Sequence, residues 1–248
     1  MTLTIGSLAS GIGGFEMGLE MAGFGPVLWQ VEIDEYCNQV LAKHWPVVQR
    51  YRDMNEVAKT PEVLAPVDII CGGTPCQDMS SAGKQAGIEG SRSKLWFSML
   101  QIVAYQRPKY VVWENVHGCI RRGLDRVVEG LSALGYTVVG TRLQAKDVGA
   151  PHRRERVFLV AIKQEAAVAD RSGHKQQLSS VARPEDRNRT SNRSRWSAEP
   201  DVGRVVYGLP ARAHRIRCLG NAIIPQCAEV AGRLIQEFEA GSLRLEEA

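Results

Sequence analysis

A chain of 248 residues with 44% hydrophobic and 23% charged residues holds enough apolar material for one large domain, with or without a small insertion. No run approaches about 18 apolar residues and no basic-then-apolar leader opens the chain, so neither a membrane span nor a signal peptide is expected, and the protein reads as cytoplasmic. The six cysteines, Cys37, Cys71, Cys76, Cys119, Cys218 and Cys227, lack paired CxxC spacing, which argues for free thiols in a reducing compartment and against a zinc site or a disulfide scaffold.

Strands and helices alternate along the first 165 residues. LTIGSLA is a short apolar strand; GGFEMGLEMAGF sets Phe15, Leu19 and Ala22 at helical spacing and ends on glycine; VLWQVEI is a second strand. DEYCNQVLAKHWP opens on Asp34 as an N-cap, sets Cys37, Val40, Leu41 and His44 on one face and is stopped by Pro46. VDIIC and YVVWENV read as strands flanking a helix around KLWFSMLQIVAYQ, followed by the helix LDRVVEGLSALG and the late strands YTVVGTRL and RVFLVAI. This alternation implies an α/β fold with a doubly wound, largely parallel sheet, whose ligands bind beyond the carboxyl ends of the strands.

The net charge of +4 is unevenly spread, at +1 over residues 1–169, +6 over 170–217 and −3 over 218–248. The middle segment carries ten arginines and one lysine against five acids. Such density suits a polyanion, nucleic acid first among them, although a polar segment nearly free of large apolar residues also reads as a solvated linker. The expected organisation is a catalytic and cofactor-binding domain over 1–163, a short basic insertion over 164–204, and a segment over 205–248 that returns to the first domain.

The unusual residues lie where ligands should bind. SGIGG follows the first strand and Glu32 the second, about 20 residues on, as in a nucleotide-type site whose acid takes ribose hydroxyls. A glycine turn of this kind is also common as plain structure. Cys71 ends an apolar run and reads as core, whereas Cys76 sits between Pro75 and Gln77 in the polar loop GGTPCQDMSSAGK. A Gly/Pro loop at a strand end gives a thiolate exposure and a rigid mount. Glu114 follows the strand YVVW, where partial burial raises a carboxyl pKa and keeps a proton available. On spacing alone, a passive cysteine and a loop-capping glutamate remain open.

Five stretches, SLASGIGGFEMGLEMAGF, GGTPCQDMSSAGK, VVWENVHG, QAKDVGAPHRRERVFLVAI and CLGNAIIP, together resemble in kind and order the motif series of DNA cytosine-5 methyltransferases. The resemblance implies a Rossmann-like S-adenosylmethionine-dependent methyltransferase fold acting on double-stranded DNA. It makes Cys76 the nucleophile that attacks C6 of a flipped-out cytosine and Glu114 the group that holds N3 and supplies a proton. Arg156 is implied to bind the base O2, and Arg154 to steady the site. For the cofactor, it implies that Gly11, Ile12, Gly13, Gly14 and Phe15 form the turn around the methionine portion. Glu32 takes the ribose, Ile33 adjoins the adenine, and Asp53 with Met54 meets its amino group. Pro75 and Leu95 line the pocket, and Asn221, Ala222 and Ile223 close it.

The sequence departs from the pattern in places. Ala9 stands where the first motif usually has an aromatic, Ile33 where an aromatic often stacks on adenine, and His152 where the arginine motif usually has Gln. The region that usually reads the target is reduced to about 40 residues, from Lys163 to Arg204, and the motif that usually follows it is not cleanly visible, GRVVYGLPARAHRIR being at most a compressed stand-in. A short recognition sequence, down to two base pairs, with arginine contacts to phosphate, is the expectation. The protein is expected to be a monomer without a metal, lying at the nucleoid through DNA, and its methylation to serve restriction protection or signalling. Two alternatives stand beside this reading: a transfer-RNA cytosine-5 methyltransferase of the same family, and a catalytically silent DNA-binding subunit.

Overall fold

The computed structural model describes residues 2–74, 95–164 and 212–242; Pro75, Cys76 and nearly all of the basic segment fall outside them. Seven strands form one sheet in the order β3-β2-β1-β4-β5-β7-β6. They are β1 (Ile5–Leu8), β2 (Val27–Val31), β3 (Gln49–Tyr51), β4 (Ile69–Gly73), β5 (Tyr110–Val116), β6 (Tyr136–Gln144) and β7 (Glu155–Lys163). The first five pair in parallel; β7 runs antiparallel to both β5 and β6, so β6 points the same way as β1–β5.

Helices cover both faces, because the strands are apolar on both sides. In β4 and β5 successive residues go to opposite cores: Ile70, Val111 and Trp113 to one, Ile69, Cys71, Tyr110 and Val112 to the other. The first core is closed by α3 (Met54–Lys59), α4 (Leu95–Gln106) and α5 (Leu124–Ala133), through Met54, Trp96, Met99, Val127 and Leu131. The second is closed by α1 (Gly14–Met21), α2 (Glu35–His44) and α7 (Pro225–Glu239), through Phe15, Leu19, Leu41, Ala228, Ala231 and Ile235. The helix α6 (Arg212–Asn221) leads into α7.

The expected strands and helices are present, with differences of local cause. Asp34 caps α2 by accepting the Cys37 N–H at 3.1 Å. The buried face of that helix is Cys37, Asn38 and Leu41, with His44 exposed. The apolar spacing missed Asn38, a polar residue that is buried because its amide donates to the carbonyls of Glu32 at 2.6 Å and Asp34 at 2.9 Å. The elements β3, α3 and α6 were not expected; three and six residues are too few for a periodic signal, and α6 lies in the basic stretch. Among the described residues no helix is long and apolar enough to cross a membrane.

Candidate active site

The site assembles at the carboxyl edge of the parallel strands. Parallel register sets Gly73, the last residue of β4, beside Glu114 of β5. A Cβ at Gly73 would lie 2.9 Å from Glu114 Oε2, so a side chain there would push the carboxyl from its place over the strand end. The buried amide of Asn115 donates to the Thr74 carbonyl at 3.1 Å and hydroxyl at 3.0 Å. It thereby fixes the point from which the chain leaves toward Pro75 and Cys76.

The antiparallel strand β7 delivers the arginines from the other side. Arg156 pairs with Val116 in the ladder and sets its Nε 3.0 Å from Glu114 Oε1. Burial pushes the Glu114 pKa up to about 7, while the charges of Arg156 and, less strongly, Arg154 pull it down. Arg154 has φ 32°, a left-handed conformation that costs a non-glycine residue of order 1–2 kcal/mol. Its Nη2 donates to the carbonyls of Gly220 and Ala222, each at 2.7 Å. The arginine motif is thus tied to the segment Asn221-Ala222-Ile223, a link that sequence order does not reveal. Beside this edge, His117 Nδ1 lies 3.0 Å from Glu155 Oε1.

A second cluster forms at the ends of β1 and β2. Glu32 is buried, and its Oε2 accepts the Gly11 N–H at 2.7 Å while Oε1 accepts the Asp34 N–H at 2.8 Å. Burial raises its pKa, and these two backbone donors oppose the rise. The space beside Gly11 is open, with no atom within 4 Å of where a Cβ would stand. The Ile223 carbonyl lies 2.4 Å from the Cβ position of Gly14, so the Asn221–Ile223 segment seats directly on the start of α1.

The remaining candidates divide into exposed and buried. Ile33 is 68% exposed beside Glu32, and Asn221 is exposed with Ala222 half-buried. Ile12 and Leu95 are half-buried. Asp53 is the N-cap of α3, its Oδ1 accepting the Asn55 N–H at 2.8 Å. Phe15 packs edge-on against Phe158 with ring centroids 6.1 Å apart, and Met54 belongs to the opposite core. Their side chains are spent on packing. Sequence spacing also missed a meeting of thiols: Cys37 Sγ and Cys218 Sγ lie 3.3 Å apart across α2 and α6. Asp34 completes a group whose ligand atoms all lie within 4.8 Å, and it is ion-paired with Arg217.

A mostly parallel sheet with one antiparallel strand inserted next to its edge, a glycine turn after β1 and an acid after β2 define the Rossmann-like fold of S-adenosylmethionine-dependent methyltransferases. The family model for the C-5 cytosine-specific DNA methylase matches residues 3–202, and the chain belongs to that family. The type II methyltransferase M.HgiCII of Herpetosiphon aurantiacus is 34% identical over 167 residues, covering 66% of this chain and 38% of its own. The orphan methyltransferase M.Rho11sI of Bacillus phage rho11s is 31% identical over 220 residues, 82% of this chain and 42% of its own. The chain therefore spans about two fifths of these relatives' length. A solved mutant of DNMT2 from Spodoptera frugiperda shares the fold with a TM-score of 0.57 at 23% identity, covering 71% of this chain and 53% of that one.

Proposed function

We propose that this chain is a DNA cytosine-5 methyltransferase that works through a covalent bond from Cys76 to C6 of a flipped-out cytosine. The observation that carries this reading is the convergence of Glu114, Arg156 and Arg154 beneath the strand end from which the Cys76 loop departs. The donor set at the other cluster fits S-adenosylmethionine: Glu32 keeps free lone pairs for a ribose diol, and the opening at Gly11 leaves room against the backbone. When bound there, the cofactor supplies an electrophilic methyl group on a sulfonium.

The protein's part is to make C5 of the cytosine nucleophilic. The Cys76 thiolate adds to C6, and the electron pair of the C5–C6 double bond moves into the ring toward N3. A protonated Glu114, whose pKa is pushed up to about 7 by burial, donates to N3 as that charge grows. Arg156, beside it at 3.0 Å, holds the O2 side of the ring and stabilises negative charge there. Once C5 has taken the methyl group, loss of its proton to a base restores the double bond and expels the thiolate. Arg154, committed to the carbonyls of Gly220 and Ala222, couples this edge to the segment that closes the cofactor cluster. The basic residues between 164 and 217 supply contacts to the DNA backbone, and the short length of that region supports a short recognition sequence.

The test is incubation with S-adenosylmethionine and a mixed-sequence duplex containing 5-fluorocytosine, followed by denaturing electrophoresis, with Cys76→Ser alongside. Fluorine at C5 cannot leave as a proton, so the wild type is expected to be trapped covalently and the variant not. A wild type that binds the duplex yet gives no adduct would contradict the DNA reading; trapping on 5-fluorocytosine transfer RNA instead would identify the RNA branch.

A further inference from the structure

Behind the glycine turn lies a polar cluster that neither the catalytic edge nor Glu32 uses. Glu16, in the first turn of α1, is wholly buried. Its Oε1 accepts from Gln30 Nε2 of β2 at 3.1 Å, and Gln30 is the ladder partner of Ser7 on β1. Burial pushes the Glu16 pKa up to about 6, against the backbone and the nearby Ser7, Gln30 and Ser10 side chains, which oppose the rise. Ser10 Oγ lies 3.0 Å from Ser7 Oγ and 3.3 Å from the Ser7 carbonyl. All four side chains are buried, and Glu16 Oε2 and Gln30 Oε1 have no hydrogen-bond partner among the described residues.

A carboxyl buried with an oxygen to spare opposes folding, and α1 fills its neighbouring core positions with Phe15 and Leu19. The turn above it is conformationally demanding. Ala9, Gly11 and Gly13 have φ of 51°, 56° and 89°, and Ala9 lacks the freedom of glycine. Ser10 stands between Ala9 and Gly11, and Gly11 is the residue whose N–H reaches Glu32. The polar cluster is therefore anchored to the middle of the turn from inside, as Glu32 is anchored to it from outside.

We propose that Glu16 is a positioning residue for cofactor binding: buried under the turn and bonded to Gln30, the ladder partner of the Ser7 that Ser10 bonds, it holds the Ala9–Gly13 turn in the form that presents Gly11 to Glu32 and to the ligand. This inference rests on the methyltransferase reading of the same cluster.

The test is calorimetric titration of the full chain with S-adenosylmethionine for wild type, Glu16→Gln, Glu16→Leu and Ser10→Ala, with Tm and duplex Kd measured in parallel. Glu16→Leu is expected to raise the cofactor Kd about tenfold while duplex Kd stays constant and Tm does not fall. Glu16→Gln, which keeps the shape and the hydrogen bonds, is expected to stay within about threefold of wild type. A Glu16→Leu protein that binds cofactor as tightly as wild type would overturn the inference. If that variant fails to fold, Ser10→Ala decides: a weakened cofactor Kd with normal Tm supports the positioning role, and an unchanged Kd overturns it. A wild type that does not bind the cofactor at all would overturn the methyltransferase reading, and this inference with it.

Discussion

Glu32 and Glu114 are both buried carboxylates at the carboxyl edge of one sheet, and burial raises the pKa of each. Their partners differ. Glu32 is met by two backbone N–H groups, fixed in place by the turn after β1 and the start of α2. Glu114 is met by the Arg156 guanidinium, with Arg154 acting at longer range. Backbone donors hold a carboxylate in one orientation and leave it an acceptor, whereas a cation beside a desolvated carboxyl sets how tightly it keeps its proton. The first arrangement suits holding a ligand and the second suits moving a proton.

Substitutions should separate the two clusters, and the largest effect belongs to Cys76. Cys76→Ser is expected to remove both covalent trapping and turnover, read by electrophoresis and by transfer of labelled methyl groups. Glu114→Gln cannot donate an acidic proton, so kcat should fall about 10²–10⁴-fold with the cofactor Kd unchanged. Glu32→Gln should do the reverse, raising the cofactor Kd about tenfold or more at little loss in kcat under saturation. Asn115→Ala frees Thr74 and with it the departure of the Cys76 loop, and should lower kcat about tenfold without moving the cofactor Kd.

The smallest effect is on stability. The folded-state pKa of Glu114, about 7, lies above the ordinary 4.5, so between these values the folded chain binds a proton that the unfolded chain has released. Its contribution to stability must then fall as pH rises through that window and level off above it. Glu114→Gln lacks this slope. The variant should gain roughly 1–3 kcal/mol relative to wild type from the bottom of the window to the top, measured by denaturant unfolding at a series of pH values.

The two clusters were unequally legible in the sequence. Strands such as YVVWENV and RVFLVAI carry long apolar runs bounded by polar residues, and the structure places them at Tyr110–Val116 and Glu155–Lys163. Glu32 and Gly11 were visible because a strand, a glycine turn and an acid recur at fixed local spacing. The contact of Arg156 with Glu114 depends on β7 inserting antiparallel beside β5, which no local pattern specifies. The hold of Arg154 on Gly220 and Ala222 and the meeting of Cys37 with Cys218 join segments far apart in the chain. Glu16 gave no signal because an acid in the first turn of a helix is ordinarily solvated and favoured there by the helix dipole; it is buried here against the strands beneath it, where Gln30 of β2 donates to it.

The division of labour between the two carboxylates is tested most directly by single-turnover methyl transfer to duplex DNA, measured across cofactor concentration for wild type, Glu32→Gln and Glu114→Gln. The expected result is a rate for Glu32→Gln that approaches wild type at saturating cofactor, and a rate for Glu114→Gln that stays low at every concentration. A Glu114→Gln rate restored by excess cofactor, or a Glu32→Gln rate that is not, would contradict it.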